Sequence, residues 1–170
     1  MNSMRARHEN ETTFHPVVLV ATPILALILQ AYVPHLFPQF VILDLPLLVV
    51  IYFAITLRGA IEGTIMGMLI GLVQDAQTGR PIGVNGMAKS IIGYAAASIG
   101  VRIDVENTVS RMLLTAVFTL ANSVLIYTIE RRLLGFETHW LWLYETVRII
   151  ANALVSVVVF WILDRLRRKG

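Results

Sequence analysis

The sequence predicts an all-α integral membrane protein of about six transmembrane helices, each needing roughly 20 apolar residues. Three observations carry the prediction. The 170 residues are 56% hydrophobic and only 15% charged, with a mean hydropathy of +0.72, whereas soluble domains carry about 25% charge. A globule of this size keeps a large share of its area in water, so a soluble fold could not hide so much apolar surface. Finally, apolar runs of near-bilayer length recur along the whole chain. At roughly 20 residues per span there is room for about five to seven spans and no separate water-soluble domain.

The first run, Val17–Val33, has no charge within it. Glu9 and Glu11 precede it and no small-x-small cleavage pattern follows before Pro34 and Pro38, so it reads as a retained span rather than a signal peptide. The second run is Phe40–Leu57, with Asp44 and Pro46 near its start, and the third is Gly59–Val73, with Arg58 almost the entire connection between them. The fourth is Val84–Val101, with Lys89 in its first turns; the fifth is Met112–Ile129 and the sixth Val147–Leu163. The stretch Glu130–Tyr144 mixes charges with Trp140, Trp142 and Tyr144. Amphipathic rings favour the headgroup layer, so this segment is expected to lie on the membrane.

Six spans put both ends of the chain on one side. That side would hold Arg5, Arg7, Arg58, Arg102, Arg111, Arg165, Arg167, Arg168 and Lys169, nine cations, against Arg80, Lys89, Arg131, Arg132 and Arg148, five, on the other. The excess places both termini in the cytoplasm. The basic tail therefore reads as a positive-inside anchor. Nothing else supports nucleic-acid binding, which needs a basic face with phosphate-reading or base-stacking elements.

Gly59, Gly63, Gly67 and Gly71 recur every fourth residue and share one helix face. Such a face lets another backbone approach closely, which holds helices together in lipid. It serves either packing within the bundle or a partner's helix. Asp44, Glu62 and Lys89 are charges within or at the edge of apolar runs, where they must pair or face the protein interior. Depth matches Asp44 with Lys89, either as an ion pair or as the lining of a polar pocket open to the outside. It also matches Glu62 with Arg58 one turn away. The stretch from Gln74 and Asp75 through Gly83 and Asn85 to Lys89 is rich in turn-forming residues and is expected to turn sharply, re-entering the membrane or capping a cavity.

Catalytic and metal signatures are missing from the sequence. There is no cysteine, hence no disulfide or thiolate metal site. His8, His15, His35 and His139 are scattered without metal-ligand spacing, there is no Gly-x-Ser-x-Gly or His-Glu-x-x-His motif, and Gly86-Met-Ala-Lys89-Ser90 is not a phosphate-binding loop.

Several segments together resemble a known family. They are Val41-Ile-Leu-Asp44-Leu-Pro-Leu-Leu-Val-Val-Ile-Tyr-Phe-Ala54, Arg58-Gly-Ala-Ile-Glu-Gly63, Gly71-Leu-Val-Gln-Asp75, Gly79-x-Pro-Ile-Gly83-Val-Asn85-Gly-Met-Ala-Lys89 and the polar loop beginning at Arg102. Their order is similar to that of the bacterial rod shape-determining protein MreD, although Leu43-Asp44-Leu45-Pro46 departs from the family's more frequent Pro-Asp-Leu. The resemblance implies a non-enzymatic scaffold without cofactors in the bacterial inner membrane. It would bind the single-span protein MreC and act indirectly on the elongation transpeptidase and glycosyltransferase that lay down lateral peptidoglycan, and on MreB filaments. It also implies a fold similar to the substrate-binding subunit of energy-coupling factor transporters.

That relation supplies a rival, a vitamin-binding transporter subunit. Such subunits dock through an Ala-x-x-x-Ala face on the first span, whereas Ala21, Ala26 and Ala31 are spaced by five and drift around the helix. A third reading, an enzyme acting on a lipid-linked cell-wall intermediate, would rest on Asp44 and Asp75, with no nucleophile beside them. Under six spans, reporter fusions after Gly135 and at Gly170 are expected to report opposite sides of the membrane; the same side for both would refute that count.

Overall fold

A computed structural model describes residues 14–102, 107–137 and 139–166. The cations Arg5, Arg7, Arg167, Arg168 and Lys169, with His8, and the centre of the loop after Arg102 lie outside the described residues. The described chain is all helical. Six α-helices follow in order: α1 Pro16–Leu36, α2 Leu45–Leu57, α3 Ala60–Thr78, α4 Val84–Gly100, α5 Thr108–Thr128 and α6 Trp142–Leu166. A 3₁₀ turn, Pro38–Ile42, precedes α2, and a π turn, Ile129–Leu133, extends α5. Three of these helical runs are long and apolar enough to cross a bilayer: Pro16–Leu36, Thr108–Leu133 and Trp142–Leu166.

Helix α2 is the axis of the bundle. Every residue from Leu47 to Thr56 is buried, and its sequence, Leu-Pro-Leu-Leu-Val-Val-Ile-Tyr-Phe-Ala-Ile-Thr-Leu, has no polar face. A helix that is apolar all round belongs inside a larger assembly. Here α1, α3, α4, α5 and α6 all touch it. At 13 residues it is only about 20 Å long, at 1.5 Å per residue. The apolar run beginning at Phe40 is longer than the helix because Asp44 and Pro46 set the helix start. The Asp44 carboxylate accepts from Leu47 N at 3.1 Å as an N-cap, and Pro46 sits in the first turn, where the N–H it lacks would have no partner in the helix. The far end closes at Arg58, which adopts the left-handed conformation with φ 58° and donates its N–H to Ala54 O.

Helices α3 and α4 make the most extensive pairing in the fold, and glycine makes it possible. A Cβ placed on Gly63, Gly67 or Gly71 would lie 2.6 Å from Gly93 O, 2.1 Å from Lys89 O and 2.4 Å from Asn85 O, all main-chain atoms of α4. Gly93 returns the contact, with 2.1 Å from its would-be Cβ to Gly63 O, and Gly100 sets α4 close to α2, its would-be Cβ 2.7 Å from Ile55 O. Of the two uses open to the glycine face, packing within the bundle is the one found. Gly59 stands apart from this seam: the space beside it holds the Glu62 carboxylate. Among the described residues Glu62 forms no ion pair with Arg58, contrary to expectation. Both side chains are exposed, and the Glu62 carboxylate folds back over Gly59 instead.

At the opposite end from Asp44, Arg111 of α5 meets the Asp164 carboxylate of α6 with both terminal nitrogens. Tyr52 of α2 donates to the same carboxylate at 2.9 Å. Three helices are thereby joined at one side chain.

Gly67→Ala and Gly71→Ala are each expected to cost about 1–3 kcal/mol, the usual penalty for inserting a methyl group into a packed interior, seen as a lowered Tm in mild detergent. Gly86→Ala is the milder comparison, since the nearest atoms to its new Cβ are in the Leu72 side chain, at 3.0 and 3.1 Å, with main chain no closer than 3.6 Å.

Candidate functional site

The polar residues singled out in the sequence come together around the start of α2. Asp44 and Lys89 form an ion pair, with Nζ 2.9 Å from Oδ2 and side-chain exposures of 3% and 0%. The pair is closed off, so in this structure the two side chains do not line an open pocket. Lys89 also donates to Asn85 Oδ1 at 3.2 Å, one turn earlier on α4. The other Asp44 oxygen accepts from Gln74 Nε2 of α3 at 3.3 Å. A second cation, Arg148 of α6, approaches Asp44 Oδ2 at 3.5 Å.

Asp75 does different work. It is fully buried, and its carboxylate accepts from Gly83 N at 2.9 Å, Asn85 N at 3.0 Å and Gly86 N at 3.3 Å. Those are the free N–H groups at the start of α4, where a negative charge also meets the positive end of the helix dipole. The Asn85 side chain donates to the same carboxylate at 2.8 Å. Asp75 thus caps α4 from α3, replacing the side chain that Gly83 lacks. The polar stretch is accordingly a tight helical hairpin. Gln74 and Asp75 sit in the last turns of α3, Asn85 and Lys89 in the first turns of α4, and the link between them is held by Gly79 at φ 65° and Gly83 at φ 109°.

Sequence reasoning missed Gln30, Arg148 and Asn152 as members of this site. Gln30 of α1 donates to Leu43 O and accepts from Leu45 N, both at 3.0 Å. Asn152 of α6 accepts from Asp44 N at 3.0 Å and donates to Ile42 O at 3.3 Å. The chain is not helical at Leu43 and Asp44, so its backbone groups there need partners from elsewhere. Two amide side chains from neighbouring helices supply them. The available signal was a lone amide in each of two mostly apolar runs, with the charge of Arg148 one turn before the second.

The arrangement binds helices to one another and leaves its carboxylates occupied. Asp44→Asn is expected to strand Lys89 as a buried unpaired cation and to cost about 3–5 kcal/mol, the range for breaking a buried pair from one side. Lys89→Met should be comparably damaging. The double change should recover most of the loss, measured as accumulation in membranes and as Tm in detergent. A double variant no better than either single would refute a mutual-neutralisation role.

Comparisons with curated proteins and with solved structures found no match. A family model described as rod shape-determining protein MreD matches residues 11–169. With its three long apolar helices, this chain is a membrane protein, and it belongs to the MreD family of rod shape-determining proteins.

Proposed function

We propose that this chain is a non-enzymatic scaffold of the bacterial cell-elongation machinery, crossing the inner membrane six times with both ends in the cytoplasm. In this reading it binds the single-span protein MreC through its membrane helices. The elongation transpeptidase, the glycosyltransferase and MreB filaments are reached through that partner, and rod shape and lateral peptidoglycan synthesis depend on the assembly.

The observation that carries the reading is how the acidic groups are used. Asp44 and Asp75, the residues an enzyme would need, are buried and engaged, one by Lys89 and the α2 cap, the other by the start of α4. Meanwhile the long helices keep broad apolar faces uncovered, among them Val20, Leu25, Leu113, Val117, Leu154 and Val158. A rigid bundle with uncovered membrane faces suits a protein that holds other helices. Family membership supports a part in rod shape.

Affinity purification from mild detergent is expected to recover a single-span partner, and deletion to cost the cell control of its width. Recovery of transporter ATPase subunits alone would overturn the proposal. The Asp44→Asn/Lys89→Met double variant separates scaffold from enzyme. Where it accumulates normally it should still support rod shape, and loss of shape at normal abundance would point to chemistry at Asp44.

A further inference from the structure

The exposed side chains record how much of each helix can face lipid. On α6 those from Leu141 to Ile162 carry no charge. Trp142 and Trp161 stand near the two ends of this stretch, both exposed. Indole rings favour the headgroup layer. The two tryptophans are 19 residues apart, about 29 Å along a helix, which matches a hydrocarbon layer of ~30 Å. On α1 the exposed side chains between His15 and His35 are likewise uncharged, over about 30 Å.

Helix α3 is different. Glu62 and Gln77 are both exposed and lie 15 residues apart, about 22 Å. Between them the exposed side chains are Ile65, Met68, Leu69, Val73 and Ala76. Thr78, Gly79 and Arg80 follow, all exposed, and Ile82 at the hairpin tip is the one large apolar side chain exposed between Gln74 and Gly86. On α4 the exposed apolar side chains run from Met87 to Val101, about 21 Å. The two sides of the bundle share one level, because Gln74 of α3 and Asn152 of α6 both bond at Asp44. Outward from that level α6 goes on exposing Ile150, Val147, Leu143 and Trp142, whereas α3 presents Gln77 and Thr78 at once. Tilting α3 only reduces the thickness it covers, so tilt cannot make up the difference.

We propose that α3 and α4 thin the bilayer beside them by roughly 8 Å relative to the ~30 Å layer that α1 and α6 match, drawing in chiefly the leaflet at the Asp44 end. Lipids with short acyl chains, and membrane helices with short apolar segments, would settle on this face without mismatch. The inference rests on reading α3 as a membrane span, and not on any protein partner.

The test uses the full chain in dioleoyl-phosphatidylcholine nanodiscs. The sequence has no cysteine, so single cysteines can be introduced and spin-labelled. Depth is read from the accessibility of each nitroxide to oxygen and to a water-soluble nickel complex. Ile61→Cys and Ala76→Cys, 15 residues apart on α3, are both expected at headgroup level, with Met68→Cys deep in hydrocarbon between them. Tyr144→Cys and Val158→Cys, 14 residues apart on α6, are both expected inside the hydrocarbon. Glu62→Leu with Gln77→Leu should carry the α3 labels into hydrocarbon and shift the acyl-chain length of highest Tm toward longer chains. End labels on α3 as deep as those on α6, with Met68→Cys still in hydrocarbon, would overturn the thinning and leave α3 a span. A chain-length optimum unmoved in the double leucine variant would overturn it too. Water exposure of Met68→Cys would instead remove the span itself, and the six-span reading with it.

Discussion

A charged carboxylate in an apolar bundle is stable only where its neighbours neutralise it and fill its lone pairs. Asp44 meets that condition through four helices at once. It caps its own helix α2, takes a proton donor from Gln74 of α3, pairs with Lys89 of α4 and lies beside Arg148 of α6. The backbone on either side of it is held by Gln30 of α1. Five helices therefore depend for their relative placement on one residue and its flanks. The sixth, α5, is secured at the other end, where Arg111 joins Asp164 and Tyr52.

This constraint and the glycine seam reinforce each other. Lys89 reaches Asp44 from a helix whose backbone touches α3 directly at Gly67, and the depth of α4 along that seam is set by Asp75 holding its first N–H groups. A methyl group at Gly67 would push α4 away and move the ammonium with it. A lost cap at Asp75 would let the start of α4 slide. Packing, capping and ion pairing are thus three readings of one geometry, and each limits the error the others can tolerate.

Much of this geometry was legible in the sequence. That Asp44 and Lys89 belong together follows from the cost of charge in an apolar run and matched depth, which left an ion pair and a shared pocket both open, and the close helix contact follows from a four-residue glycine period. What was not legible depends on partners distant along the chain. Asn152 and Gln30 matter because the backbone is irregular at Leu43 and Asp44, a break whose unmet hydrogen bonds are visible only in three dimensions. Gly93 and Gly100 carry close contacts and, with Gly86, repeat every seventh residue, a two-turn period that a search for four-residue spacing passes over. The Arg58–Glu62 pair expected from matched depth and one-turn spacing does not form. Arg58 ends a helix in a left-handed conformation, so the two residues do not share a continuous helical face. The composition of the polar stretch after Gly71 predicts a turn, yet Gln74 and Asp75 are helical, since α3 continues to Thr78 and is capped at Gly79.

The uniformity of α2 explains why so few polar contacts carry so much. Its residues are apolar on every side, and apolar packing has no direction. In lipid the hydrophobic effect does not drive helices together either, which leaves close fit and hydrogen bonds to do so. A smooth apolar cylinder could rotate or slip among its five neighbours at little cost. Two side chains remove that freedom. Asp44 at the N-terminal end fixes depth, and the Tyr52 hydroxyl, bonded to Asp164 at 2.9 Å, fixes rotation two turns further on. The polar groups of this protein thus sit where an apolar core would otherwise leave the arrangement undetermined, and a bundle whose register is fixed in this way presents its outer faces to other membrane helices in one fixed arrangement.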